Sequence, residues 1–94
     1  MTQTTVLAAG VTSATSSDIV VAAGEQITVG LFSAAAGHLP HGLQIPVMQK
    51  TPGADNFISS LTDARRTTVL SGPGIFRVQR PAYTGTAFGA FTEK

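Results

Sequence analysis

The chain has no cysteine and no tryptophan, and its six basic and five acidic residues make only eleven charges in 94 positions. Without cysteine, neither a disulfide framework nor a thiolate metal site can support the fold. A chain of this length closes one core and no second one, and that core only just offsets the conformational entropy of folding. Stability must therefore come from a well-packed interior, from burial against a partner, or from both. Charged residues are 12% of the chain, about half the ~25% of ordinary soluble domains. Two readings follow: a weakly charged but ordinary surface, or a surface extensively covered by partners, since interface centres are also poor in lysine and glutamate. A net charge of +1 argues against nucleic-acid binding through a basic field. Met1 to Ala9 contain no Lys or Arg and no long apolar run, which argues against an ordinary signal peptide. No stretch is apolar for long enough to span a bilayer. The expectation is a chain that stays in the cell that makes it, or leaves as part of something assembled there.

Helical periodicity is also lacking. No segment of ten or more residues repeats its apolar positions every 3.6 residues, whereas a period of two recurs from Asp18 onward. Ile19 and Val21 alternate, Ala23-Gly24-Glu25 marks a turn, and Ile27, Val29 and Leu31 resume the alternation. That pattern predicts a hairpin. Residues 33–42 hold too much Gly and Pro for a helix and read as a loop. Leu43, Ile45 and Val47 form the next alternating run, and Pro46, which has no N–H to donate, predicts an edge on at least one side. A dense turn at 51–56 precedes Phe57, Ser59 and Leu61 on one strand face, and Asp63 to Arg66 make the next connection. Thr67 to Leu70 read as a short strand. Pro73 and Gly74 suit the central positions of a type II turn. Phe76 and Val78 face opposite to Arg77 and Gln79, and in the last strand, Thr86 to Thr92, Phe88 or Phe91 points inward but not both. The prediction is all-β: a single small antiparallel β-sandwich or barrel-like domain of about seven to eight short strands over residues 18–94. Residues 1–17, rich in Thr, Ser and Ala, read as an extended N-terminal arm that adds a strand to a neighbour, or else as a frayed tail.

Few residues offer chemistry. His38 and His41 are the two histidines, placed around Pro40 with no cysteine or nearby carboxylate to complete a zinc site. They read as exposed loop residues, with a pH-responsive contact as the alternative. Nothing marks a nucleophile elbow or an oxyanion hole. The five acids fall at turns and ends, where carboxylates cap and solvate. Ser71-Gly72-Pro73-Gly74 resembles a phosphate loop but lacks the Lys, the Ser/Thr and the helix that such a loop needs. The expectation is a non-enzyme without a cofactor. Candidate contact residues are Val6 and Leu7 in the arm, and Phe32 and Met48 opposite the aliphatic alternation. Arg65, Arg66, Arg77 and Arg80 form a basic patch if strands bring them together, or are solvated arginines if not. Apolar residues on both strand faces predict either a second packing layer or an exposed interface patch.

Four stretches carry a family likeness: Ile27-Thr28-Val29-Gly30-Leu31-Phe32, Thr51-Pro52-Gly53-Ala54-Asp55-Asn56, Ser71-Gly72-Pro73-Gly74-Ile75-Phe76-Arg77-Val78 and Gly85-Thr86-Ala87-Phe88-Gly89-Ala90-Phe91. From about Ile27 to the C-terminus the chain resembles small structural proteins of tailed-bacteriophage virions, while the arm matches only in composition. The resemblance implies a capsid decoration (cement) protein, with a head-fibre or tail-associated receptor- or carbohydrate-binding module as the alternative. It implies a homo-oligomer, with a trimer favoured, and a location in the virion after assembly in the host cytoplasm. The major capsid protein is the implied partner, with no nucleic acid, no membrane and no catalytic residues.

Overall fold

The computed structural model describes residues 2–34, 39, 42–83 and 85–94. Among them run nine strands and no helix: β1 (Gln3–Gly10), β2 (Ala14–Thr15), β3 (Ile19–Val21), β4 (Gln26–Ser33), β5 (Gln44–Gln49), β6 (Asn56–Thr62), β7 (Thr67–Ser71), β8 (Gly74–Arg80) and β9 (Phe88–Glu93). They form two antiparallel sheets packed as a small sandwich. The first has the order β1-β9-β4-β7; in the second, β8, β5 and β6 are neighbours, and β2 and β3 both pair with β8. Alternation supplies the core from both sides. The first sheet buries Leu7, Ile27, Val29, Leu31, Leu70, Phe88 and Ala90, and the second buries Ile19, Val21, Ile45, Val47, Leu61, Phe76 and Val78. Phe88 is fully buried while Phe91 is only half-buried, as their three-residue spacing requires.

Four local expectations are corrected. Strands β3 and β4 do not form a hairpin: β3 pairs with β8, whereas β4 pairs with β7 and β9 in the opposite sheet. The turn between them is present, with Gly24 at φ 79° and Glu25 N–H donating to Ala22 O at 3.0 Å. It is a corner between layers. Alternation tells which side of a strand faces the core, and two strands facing each other across the core carry the same pattern as two lying side by side.

The segment 71–74 makes a second corner, and here the peptide bond between Gly72 and Pro73 is cis. Gly74 begins β8 without the left-handed φ that a type II turn needs. The two corners press together. A side chain on Gly72 would lie 2.0 Å from Ala22 O, and Gly72 N–H donates to Glu25 O at 3.1 Å.

The expected extended arm is not a separate element. Gln3–Gly10 lies in the first sheet as β1, paired with β9 through two register shifts, and Ala14–Thr15 pairs with β8. Ser16 closes the gap between β2 and β3: its N–H donates to Val78 O at 2.8 Å and its hydroxyl accepts from Val78 N–H at 2.9 Å. Strands β2 and β3 thus flank one edge of β8, which brings the count to nine.

The fourth correction concerns Phe57. Val47 is opposite Ser59 but Met48 is opposite Phe57, so Ile58 is an extra residue, a bulge in β6. The bulge turns Phe57 away from the face shared by Ser59 and buried Leu61, and Phe57 is 61% exposed. Strand β5 itself is interior, paired with β6 along its length and with β8 from Val47 to Gln49. Lys50 N–H donates to Ile75 O, so by the two-residue period the Pro46 nitrogen also faces the β8 side, one residue beyond that ladder. The β5–β8 ladder accordingly ends at Val47, where Pro46 has no N–H to offer.

Candidate interaction surfaces

The outer face of the first sheet is built on reciprocal glycine–aromatic pairs. Gly30 of β4 lies opposite Phe91 of β9, and Phe32 of β4 lies opposite Gly89 of β9. A Cβ on Gly30 would lie 2.9 Å from the Phe91 ring, and one on Gly89 would lie 2.8 Å from the Phe32 ring. Each ring therefore lies across the glycine of the neighbouring strand and covers backbone that would otherwise be bare. Beside the rings is a cleft of about 400 Å³ lined by Gln3, Thr4, Thr5, Phe32 and Phe91. It offers two aromatic surfaces, hydroxyls and an amide, and among the described residues no charged side chain lines it. Gln3 Nε2 donates to Glu93 Oε1 at its rim, at 3.2 Å.

The outer face of the second sheet carries an ion network. Arg77 Nε donates to Asp18 Oδ1 at 2.6 Å, Lys50 Nζ is 3.7 Å from Asp18 Oδ2, and Arg77 Nη1 is 3.7 Å from Asp55 Oδ2. The hydrogen bond from Arg77, helped by the charges of Arg77 and Lys50, holds the Asp18 carboxyl below its ordinary range. A second pair joins Lys94 Nζ to Glu25 Oε2 at 3.1 Å, and the Lys94 hydrogen bond and the Ala22 N–H lower the Glu25 carboxyl likewise. Half-buried Met48 sits between Arg77 and Phe57 in register.

The four arginines of the sequence pattern are not brought together. Arg77 faces outward between two acids. Arg65 and Arg66 lie exposed at the β6–β7 turn, where Arg65 N–H donates to Thr62 Oγ1 and Arg66 Nε to Asp63 O. Arg80 points inward and is 5% exposed. Its Nε donates to Thr12 O at 2.7 Å, and its Nη1 donates to Ala8 O at 2.9 Å and Phe88 O at 2.7 Å. The guanidinium also lies 5.7 Å from the Phe88 ring centroid. Arg80 is thus an internal clamp joining β8, β9 and the end of β1. The same correction applies to Leu7, which the β1–β9 pairing buries in the core, while Val6 packs half-buried against it. Phe32 and Met48 remain partly accessible.

Sequence reasoning missed the most exposed apolar residues: Val20 at 63%, Phe57 at 61%, Val69 at 56% and Ile58 at 42%. Period two would have found Val20, since Ile19 and Val21 point inward, and Val69, since Leu70 does. Phe57 and Ile58 depend on the bulge. Tyr83 was also unforeseen: its hydroxyl accepts from Gln44 N–H and donates to Gln44 O, and its ring meets Phe88 edge-on at 5.8 Å.

His38 and His41 lie outside the described residues. Among the described residues, no three His, Cys, Asp or Glu side chains converge in a way that could hold a metal ion. No family model matches the chain, and no curated protein and no solved structure shows significant similarity to it.

Proposed function

We propose that the chain is a structural protein of a virion, a decoration protein that stabilises a capsid by covering junctions between shell subunits. The observation that carries this reading is the distribution of charge. Strands β1, β6 and β7, the long edges of the two sheets, contain no charged residue, and Val69, Phe57 and Ile58 are exposed on two of them. Such edges are inexpensive to desolvate, as uncharged interface centres are. Most charged side chains are drawn into the Asp18 and Glu25 networks or, as with Arg80, into the interior. The resemblance of the Ile27-to-C-terminus stretches to small phage virion proteins supports the same reading.

The test is fractionation of particles from the native source with mass-spectrometric counting. A copy number in proportion to the shell subunit is expected, and particles stripped of the chain should disrupt at lower temperature. Absence from particles, or unchanged stability after removal, refutes the role.

The cleft at Phe32 and Phe91 favours a second reading, a glycan-binding module, because its uncharged aromatic and hydroxyl lining suits a neutral sugar ring. Binding of the isolated domain to a neutral-glycan array, lost in Phe91→Ala, would select it over cementing.

A further inference from the structure

Among the described residues, every exposed strand edge but one carries a device that discourages pairing. Strand β1 has two register shifts against β9, and β6 has the Ile58 bulge. Strands β2 and β3 have two and three residues. Bulges and short strands are the ordinary means of blunting an edge, as are charge and proline. Strand β7 has none of these. It pairs with β4 in unbroken register from Thr67 to Ser71 and contains no charged residue and no proline.

Its hydrogen-bonding groups are sorted by the two-residue period. Leu31 N–H donates to Arg66 O, and Gly72 N–H donates to Glu25 O, both across the β4 side. Thr68 and Leu70 share that direction. Thr67, Val69 and Ser71 therefore turn their N–H and C=O groups to the open edge, and all three residues are exposed. Among the described residues these groups have no backbone partner.

We infer that β7 pairs with β7 of a second copy, antiparallel about a two-fold axis at Val69. The three outward-facing residues are symmetric about Val69, so the strand is its own complement. Val69 pairs with Val69, and Thr67 pairs with Ser71 on each side. Each is an antiparallel pair that exchanges both bonds, giving six hydrogen bonds from the register and directions above. An isologous contact of this kind needs no second surface. It sets two β-branched side chains opposite each other on the outer face, a favourable cross-strand pair. Arg66 falls opposite Gly72, so no like charges meet. The first sheets of two copies become one eight-stranded sheet. The pairing depends on the β7 edge alone and not on the virion reading.

Sedimentation equilibrium of the full chain, from about 10 µM to about 1 mM, spans the affinity range of a small edge contact. The expected result is a monomer–dimer equilibrium, with Thr67, Val69 and Ser71 amides exchanging more slowly as the dimer fills. Val69→Lys places like charges at the axis and should weaken the dimer by about tenfold or more, whereas Val69→Thr should retain it. Amide exchange on the unmodified chain gives a readout that does not require the Lys variant to fold. A monomer throughout, a trimer, a dimer indifferent to Val69→Lys, or rapid exchange at these amides in the dimer overturns the pairing.

Discussion

Replacing Arg80 by methionine keeps the length and apolar stem of the side chain but removes its donors and its charge. Three carbonyls then lose a partner: Thr12 O, Ala8 O and Phe88 O. The bond to Phe88 O is buried, and the other two are partly buried. A buried carbonyl left unsatisfied costs about 1–3 kcal/mol, and one that water can reach costs less, roughly 0.5–1 kcal/mol. The cation–π contact with Phe88 adds about 0.5–1 kcal/mol. Against this, a buried charge no longer has to be desolvated, which offsets part of the loss. The net expectation is a destabilisation of about 2–4 kcal/mol, within a total of roughly 5–14 kcal/mol for a chain of this size. That corresponds to a Tm lower by roughly 10–25 °C. Urea unfolding followed by circular dichroism measures it as a lower midpoint at unchanged slope. Arg80→Lys should fall between the two, because an ammonium cannot span the three carbonyls as the guanidinium does. If Arg80→Met unfolds within about 0.5 kcal/mol of the parent, the clamp contributes nothing and this account of the residue is wrong.

Ser16→Ala removes the acceptor of Val78 N–H in a buried position and should cost about 1–2 kcal/mol in the same urea assay; a smaller loss would mean that water replaces the hydroxyl. Gly72→Ala forces a Cβ against Ala22 O and should lower stability by more than about 2 kcal/mol, so an unchanged midpoint would show that the two corners can separate freely. The Asp18 and Glu25 carboxyls are held below their ordinary values, so their contribution is complete above the ordinary carboxylate range and is lost as pH falls through the lowered values. Tm measured from about pH 7 to about pH 3 should therefore fall at the acid end, less steeply in Asp18→Asn and in high salt. An identical acid slope in Asp18→Asn would rule out the Arg77–Asp18 pair as its source.

How much of this was legible in the sequence follows the range of each interaction. Ile27, Val29 and Leu31, or Phe88 against Phe91, could be assigned to a face because side-chain direction alternates within a single strand. The turn at Gly24 was legible too, since the residues that make it are adjacent. The candidate contact residues fared unevenly for the same reason. Phe32 and Met48 lie off the buried alternation and keep part of their surface accessible, as their positions imply. Leu7 disappears into the core once β1 finds β9. Arg80 follows the inward parity of Phe76 and Val78, but no sequence pattern marks the three carbonyls that receive it. Phe57 shows how little it takes to mislead a periodic reading: one extra residue at Ile58 reverses its side.

The sequence by itself therefore determined the class of fold, the inward-facing residues of the regular alternating strands such as β4, β5 and β8, the shortage of charge, and the exclusion of disulfides and thiolate metal sites. Those are consequences of composition and of a two-residue period, which act over a few bonds. Tertiary structure alone decided that β3 and β4 belong to opposite layers, that residues 3–10 form an edge of the first sheet, and that Arg80 is an internal clamp. Among the described residues it also left β7 as the one edge without a blunting device. The backbone N–H and C=O groups that join strands are the same in every residue except proline. Which strand pairs with which is settled by how the whole chain buries its apolar faces together, and local sequence does not encode it.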